Sequence, residues 1–237
     1  MRDICGVIVV NKPRGISSYG VVERIKKATK VKKVGHAGAL DPAADGVLVI
    51  LLGRATKLFE TISSYTKEYR GTIALGKMTD TLDVEGKLTK VCPIPDLTED
   101  EIKKRAQDFV GWIKQVPPRF SALSVGGKRA YKLARKGEEF TLAPRDVHIE
   151  SFEITRISLP QIDFKLVSSK GMYVRSLARD FAYSLGSCGY LLRLTRSRVG
   201  QFSLDKSYEI DDILRFSIED NLNRVIIPVE EVLESKR

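Results

Sequence analysis

Residues 35–52 read Gly-His-Ala-Gly-Ala-Leu-Asp-Pro-Ala-Ala-Asp-Gly-Val-Leu-Val-Ile-Leu-Leu. The second part, 47–52, is an unbroken apolar run that reads as a strand. The first part is a loop of small residues around a single early carboxylate, Asp41. Asp-Pro makes a stiff turn, because the ring of Pro42 fixes its own φ and pushes the preceding residue out of the helical region. Gly35, Gly38 and Gly46 let backbone approach backbone, or a ligand, without a Cβ in the way. Such a loop can hold an acid rigidly at the floor of a cleft. It can also be an ordinary polar turn, since Asp, Gly and Pro are turn residues. The rest of the chain has to decide between the two.

Working outward, the segment 6–10 is a β-branched run that ends at Asn11-Lys12-Pro13-Arg14-Gly15, a turn signal. Ser17 and Ser18 can cap a helix with Val21, Val22 and Ile25 on one face and Lys26, Lys27 and Lys30 in water. The segment 69–75 alternates as a strand. Thr98 with Glu101 forms a capping box, and Leu97 with Ile102 can staple it, which predicts a helix over 99–109. The segments 147–158 and 161–168 read as a strand pair around Leu159-Pro160. The segment 171–174 reads as the end of a strand, with Tyr173 and Arg175 projecting to one side and Met172 and Val174 to the other. A helix over 176–185 stops at Gly186, another begins near Asp212, and 226–232 is a last apolar stretch before a charged tail at 233–237. Strands and helices mix without steady βαβα alternation. This predicts an α+β fold with a mixed, mainly antiparallel central sheet flanked by helices.

The 237 residues are enough for a large core. Lys and Arg exceed Asp and Glu by 10, which gives a field that attracts polyanions, nucleic acid first among them. No apolar run approaches the ~20 residues needed to span a bilayer, so no membrane partner is expected. The three cysteines, Cys5, Cys92 and Cys188, form no CxxC pair and no evident disulfide framework, which points to a reducing cytoplasm. With only His36 and His148 present, a histidine metal site is not expected. The segment 116–142 stands apart. It opens on Pro117-Pro118, contains Gly126-Gly127, and carries Arg119, Lys128, Arg129, Lys132, Arg135 and Lys136 before its first acid, Glu138. We read it as an excursion from the sheet with a basic face suited to a phosphate backbone; Tyr131, Leu133 and Ala134 give its short helix a foothold.

Taken together, 6–18 (Gly-Val-Ile-Val-Val-Asn-Lys-Pro-Arg-Gly-Ile-Ser-Ser), Gly-His-Ala-Gly-Ala-Leu-Asp-Pro at 35–42, Gly46-Val47-Leu48, Lys67-Glu68-Tyr69-Arg70, Thr79-Asp80-Thr81-Leu82-Asp83, Val-Pro-Pro-Arg-Phe-Ser-Ala at 116–122 and Gly171-Met172-Tyr173-Val174-Arg175-Ser176 resemble, in order, the TruB-type tRNA pseudouridine synthases. The resemblance spreads over 6 to about 230 and implies the pseudouridine synthase fold and conversion of uridine 55 in the tRNA T-loop to pseudouridine. It implies that Asp41 is the catalytic aspartate, attacking either C6 of the base or C1′ of the ribose. It implies that Tyr69 stacks on the uracil and helps remove the C5 proton, and that Arg175 pairs with the aspartate. Tyr173 and Leu194 would line the pocket, His36 would enter the T-loop as the nucleotide flips, and Lys12 would support the floor of the site. The basic excursion, with Lys128, Lys132 and Arg135, resembles the family's RNA-gripping thumb.

The implied reaction is an isomerisation, so neither redox cofactor nor metal is expected. The expected partner is the tRNA T-arm, met by a monomer without a guide RNA. Two departures stand out. Met172 occupies a position where the family has threonine; on a strand it would face away from the pocket. The resemblance also implies a single catalytic domain over 1–232, without the family's further C-terminal RNA-binding domain of the PUA type, and hence a weaker grip on the acceptor arm. Three other readings remain: an RNA-binding or RNA-folding module with a structural Asp41, a synthase acting on another uridine, and a glycosidase using Asp80 and Asp83. The first is disfavoured because a carboxylate facing a polyanion weakens binding unless it has a use. The last is disfavoured because both acids lie on one turn.

Overall fold

The structure is a computed structural model that describes residues 4–234. In chain order the elements are β1 (Gly6–Lys12), α1 (Ser18–Thr29), β2 (Val34–His36), β3 (Asp45–Leu52), α2 (Phe59–Ser63), β4 (Lys67–Leu75), β5 (Lys77–Thr79), β6 (Leu88–Val91), α3 (Glu99–Gln107) and β7 (Gly111–Gln115). There follow β8 (Ser124–Val125), β9 (Lys128–Arg129), α4 (Ala130–Arg135), β10 (Arg145–Ser158), β11 (Gln161–Ser168), α5 (Val174–Ser184), β12 (Gly189–Val199), β13 (Phe202–Ser203), β14 (Tyr208–Glu209), α6 (Ile210–Ile218) and α7 (Val229–Glu234). The chain forms two compact units, Met1–Tyr69 with Thr195–Arg237, and Arg70–Leu194.

In the first unit the strand order is β14-β1-β3-β12, with β2 paired to β3 and β13 to β12. The pairs β1–β14 and β3–β12 are parallel, and β1–β3 and β2–β3 antiparallel. The unbroken apolar run predicted as a strand is the heart of this sheet. Leu48, Ile50 and Leu52 pack with Ile8, Val10 and the α1 residues Val21, Val22 and Ile25 on one face. Val47, Val49 and Leu51 pack with Val7, Val9, Ala55 and Ile62 on the other. Alternate side chains point to opposite faces, so a strand covered on both sides must be apolar at every position. Each such aliphatic side chain contributes roughly 1.5–3 kcal/mol by leaving water. Ser17 caps α1 by accepting from the Gly20 amide at 3.0 Å.

In the second unit the order is β12-β4-β11-β10-β7. The long pair β10–β11 is antiparallel and turns at Leu159-Pro160, as predicted. The expected capping box of Thr98 and Glu101 opens α3. That helix ends at Gln107, earlier than expected, and Phe109 beyond it meets Phe152 and Phe181 edge-on, with ring centroids 6.3 and 5.8 Å apart. The expected α+β class with a mixed, mainly antiparallel sheet is the one adopted.

Three expectations need correction. The segment 171–174 is not a strand: Tyr173 is the residue before α5, which begins at Val174. Val174, Leu177, Ala178, Phe181 and Ala182 are all buried, and their 3-and-4 spacing makes one helical face that extends the helix toward its start. The charged tail is not separate from the apolar stretch, since α7 runs to Glu234; 235–237 lie outside the described residues. Cys92 and Cys188, read as unpaired, form a disulfide with Cα atoms 5.7 Å apart and 96 residues apart in sequence. That separation hid the pair. It also makes the bond valuable, because closing a long loop removes much unfolded-chain entropy, typically about 2–4 kcal/mol. We therefore expect a reductant to lower the urea midpoint of the wild type and to leave that of Cys92→Ser/Cys188→Ser unchanged; equal wild-type midpoints with and without reductant would contradict this.

Candidate active site

The loop at 37–44 is held by its main-chain carbonyls. Ser18 is buried at the start of α1, and its hydroxyl both donates to the Leu40 carbonyl at 2.9 Å and accepts from the Leu40 amide at 2.8 Å. Lys12, fully buried at the end of β1, donates to the carbonyls of Pro13 and Ile16 at 2.8 Å and reaches Pro42 at 3.5 Å. The Gly15 amide donates to Pro42 at 2.9 Å and the Ala44 amide to Asp41 at 3.1 Å. The third side chain is Arg196 on β12, 2% exposed. Its Nε donates to Val47 at 2.8 Å, Nη2 to Gly38 at 3.0 Å and Nη1 to Ala39 at 3.2 Å. Sequence reasoning missed both Ser18 in this role and Arg196 altogether.

Arg196 also ties the chemistry-bearing groups together. Burial pulls its pKa below the ordinary arginine value; a hydrogen bond to Tyr69 and the charge of Asp41 oppose this. An arginine keeps its proton under such conditions, so a permanent positive charge is hydrogen-bonded to Tyr69 and acts on Asp41. Parallel pairing sets Arg196 opposite Gly46, whose φ of +103° and lack of a Cβ admit the Arg196 backbone. The first unit thus brings Asp41, Tyr69 and His36 around one buried guanidinium, while Lys12 reaches the Pro42 carbonyl next to Asp41. Asp41 is half-buried and Tyr69 is buried near the start of β4.

His36, half-buried on β2, has Nδ1 buried and unpartnered among the described residues. Desolvation first, and the charge of Arg196 second, push its pKa below the usual histidine value. The unfolded chain, with His36 near 6.5, then binds more protons than the folded one as pH falls from there. His36 therefore destabilises the fold progressively below about pH 6.5 and has no such effect above it. Between pH 7.5 and 5, the wild type should lose more of its urea midpoint than His36→Gln; parallel losses would refute this origin of the pH dependence.

The remaining predicted residues lie in the second unit. Arg175 is buried in the first turn of α5, not on a strand beside Tyr173. It donates to Thr81 at 2.9 Å and Phe120 at 3.0 Å, and its Nε lies 3.7 Å from Asp83. Asp180 pairs with the neighbouring Arg179 at 2.7 Å. Asp83 also accepts from the Thr81 hydroxyl and the Glu85 amide, while Asp80 accepts from the Lys87 amide. These are turn-closing bonds, and they leave no pair of acids for a glycosidase. The Tyr173 amide donates to the Gln115 side chain at 2.9 Å, and its ring lies under Arg145 at 5.3 Å. Met172 is half-buried in the turn and accepts from Gln115 at 3.1 Å. Leu194 is buried.

The basic excursion is the hairpin β8–β9 followed by α4, anchored by buried Ala130 and Leu133. Its cations divide by task. Arg119 donates to Glu138 at 2.8 Å and lies over Phe140, and Arg129 donates to Ala122 at 2.7 Å, so both hold the excursion together. Lys128, Lys132 and Arg135 are exposed.

The sequence pattern of the TruB family pseudouridylate synthase N-terminal domain matches residues 26–174. The chain belongs to the TruB family. It is 39% identical to tRNA pseudouridine synthase B of Opitutus terrae over 234 residues, covering 99% of this chain and 97% of that protein. It is 42% identical to the Clostridium tetani protein of the same name, covering 96% and 78%. A chain in the crystal structure of a Cbf5–Nop10–Gar1 complex superposes with a TM-score of 0.74 at 28% identity, covering 95% of this chain and 60% of that one. The TruB match begins within α1 and ends at the first residue of α5, so it contains the clamped loop, β4 and the basic excursion. Arg196 lies beyond it.

Proposed function

We propose that this TruB-family chain converts uridine 55 in the T-loop of tRNA to pseudouridine, with Asp41 as covalent nucleophile. The observation that carries the reading is the carboxylate of Asp41 on a loop whose carbonyls are gripped by Ser18, Lys12 and Arg196. A nucleophile works when it is ionised and held in the attacking geometry. The names of the relatives supply the substrate class, and the net charge of +10 suits it.

The target nucleotide leaves the stack at a cost of a few kcal/mol, which contacts to the flipped base offset. Asp41 attacks C6 or C1′, the N1–C1′ bond breaks, the uracil turns while held, and C5 bonds to C1′. Tyr69 takes the proton from C5, N1 ends protonated and the Asp41 ester is released. Product and substrate have the same atoms and oxidation level, so the balance needs neither cofactor nor redox partner. Arg196, hydrogen-bonded to Tyr69, fixes the phenol beside Asp41. By the family resemblance Arg175 belongs to the catalytic set and Tyr173 and Leu194 to base binding, His36 meets the displaced loop, and Lys128, Lys132 and Arg135 hold the T-arm. The enzyme acts as a monomer without guide RNA; its tRNA substrate places it in the cytoplasm, while the Cys92–Cys188 disulfide removes unpaired cysteines as an argument for that compartment. Among the described residues no helix is long and apolar enough to cross a membrane.

The test is tritium release from a tRNA transcript labelled at uracil C5. Wild type should release one tritium per tRNA and leave pseudouridine at position 55, and a transcript with cytidine at 55 should release none. Release that persists with cytidine at 55 would move the target to another uridine. A protein that binds tRNA and releases nothing would be a binding module.

A further inference from the structure

Helix α1 and the turn after it carry Arg24, Lys26, Lys27, Lys30, Lys32 and Lys33, six cations within ten residues and no acid among them. All six side chains are exposed, and among the described residues none has an ion pair or a side-chain hydrogen bond. Lys26 and Lys27 complement the C-terminal dipole of α1. One or two charges suffice for that, and Lys26 with Lys30 is a like-charge pair four residues apart, which costs a helix stability. Lys30 takes a left-handed conformation with φ 58° and turns the chain, so that Lys32 and Lys33 continue the row up to β2. Tyr19 on the same helix is 66% exposed and joins Arg24, Lys26, Lys27 and Lys30 in lining a cleft of about 720 Å³. The acid at its edge, Glu23, is engaged by the Tyr19 hydroxyl.

The row has a defined place relative to Asp41. Ser18, at the opposite end of α1, grips Leu40, the residue before Asp41. At 1.5 Å per residue, Arg24 lies roughly 9 Å and Lys30 roughly 18 Å along the helix from Ser18. A flipped nucleotide at Asp41 does not reach that far, whereas the backbone flanking it does. Unpaired cations in a row, beside an exposed aromatic, suit a chain of phosphates.

We propose that the row from Arg24 to Lys33 binds the ribose-phosphate backbone of the substrate tRNA outside the loop that carries the target uridine. This rests on the tRNA reading above. The site adds a grip on the first unit that is independent of the basic excursion.

The test is the triple variant Lys26→Glu/Lys27→Glu/Lys30→Glu, with Lys32→Glu/Lys33→Glu as a second variant. Lys103→Glu/Lys104→Glu on α3 serves as a control for altered net charge. KM for tRNA should rise at least 10-fold in the triple variant, with kcat within 2-fold and the melting temperature unchanged. The slope of log affinity against log salt should fall in magnitude by roughly 0.7–0.9 for each phosphate that is no longer neutralised. The α3 control should leave both quantities near wild type. Unchanged KM and slope, or an equal change in the control, would overturn the proposal; loss of binding to phosphatidylserine vesicles with tRNA affinity intact would assign the row to a membrane instead. Tritium release tests the enzyme reading separately, because the salt slope of tRNA binding is measurable in a protein that does no chemistry.

Discussion

Asp41→Asn should abolish turnover while leaving the fold and RNA binding in place. The amide is close in size to the carboxylate but is no nucleophile toward C6 or C1′, so the covalent route is closed and kcat should fall by more than about 10³-fold. The loop should not collapse, since Ser18, Lys12 and Arg196 hold it through the carbonyls of its neighbours. Affinity for tRNA should stay within a few-fold of wild type or rise slightly, because a negative charge facing phosphates has been removed. Melting curves, filter binding and steady-state tritium release check the three parts. A large drop in melting temperature would mean that Asp41 is structural.

The second large effect is expected at Arg196. In Arg196→Met the stem is replaced by one of similar reach, but the carbonyls of Gly38, Ala39 and Val47 are left without their donors. Breaking a buried ionic network by removing one side leaves the rest uncompensated and costs roughly 3–5 kcal/mol. Arg196→Lys keeps the charge and removes the fork. An ammonium cannot serve three carbonyls in the directions used by a guanidinium, so the fold should survive while the Asp41 loop is misplaced. Misplacement of about 1 Å at a reacting centre costs on the order of 10²-fold, and kcat should fall by about that factor with KM little changed. Wild-type kinetics in Arg196→Lys would remove Arg196 from the site.

What the sequence made legible was local. The apolar run of β3, the Ser17 cap, the Thr98–Glu101 box and the β10–β11 pair each follow from neighbouring residues, and each is present. Asp41, Tyr69, His36 and Lys12 stand out because they lie in distinctive short stretches. What stayed hidden was long-range or disguised by type. Arg196 stands between the exposed Arg193 and the half-buried Arg198 in one strand, and a run of arginines reads as surface. Its burial comes from pairing with β3, nearly 150 residues away. Alternation at Gly171-Met172-Tyr173-Val174 mimics a strand; the helical face set by Leu177, Ala178 and Phe181 overrides it. The disulfide and the contact of Arg175 with Asp83 join residues that no spacing rule connects.

That a clamped Asp41 carries the chemistry is tested most directly by a single-turnover reaction. Enzyme saturating over a tRNA transcript is quenched over time and scored for pseudouridine at position 55. Wild type should convert the bound RNA completely, and Asp41→Asn, bound to the same extent, should convert none. Conversion by Asp41→Asn within 10-fold of the wild-type rate would contradict a nucleophilic Asp41.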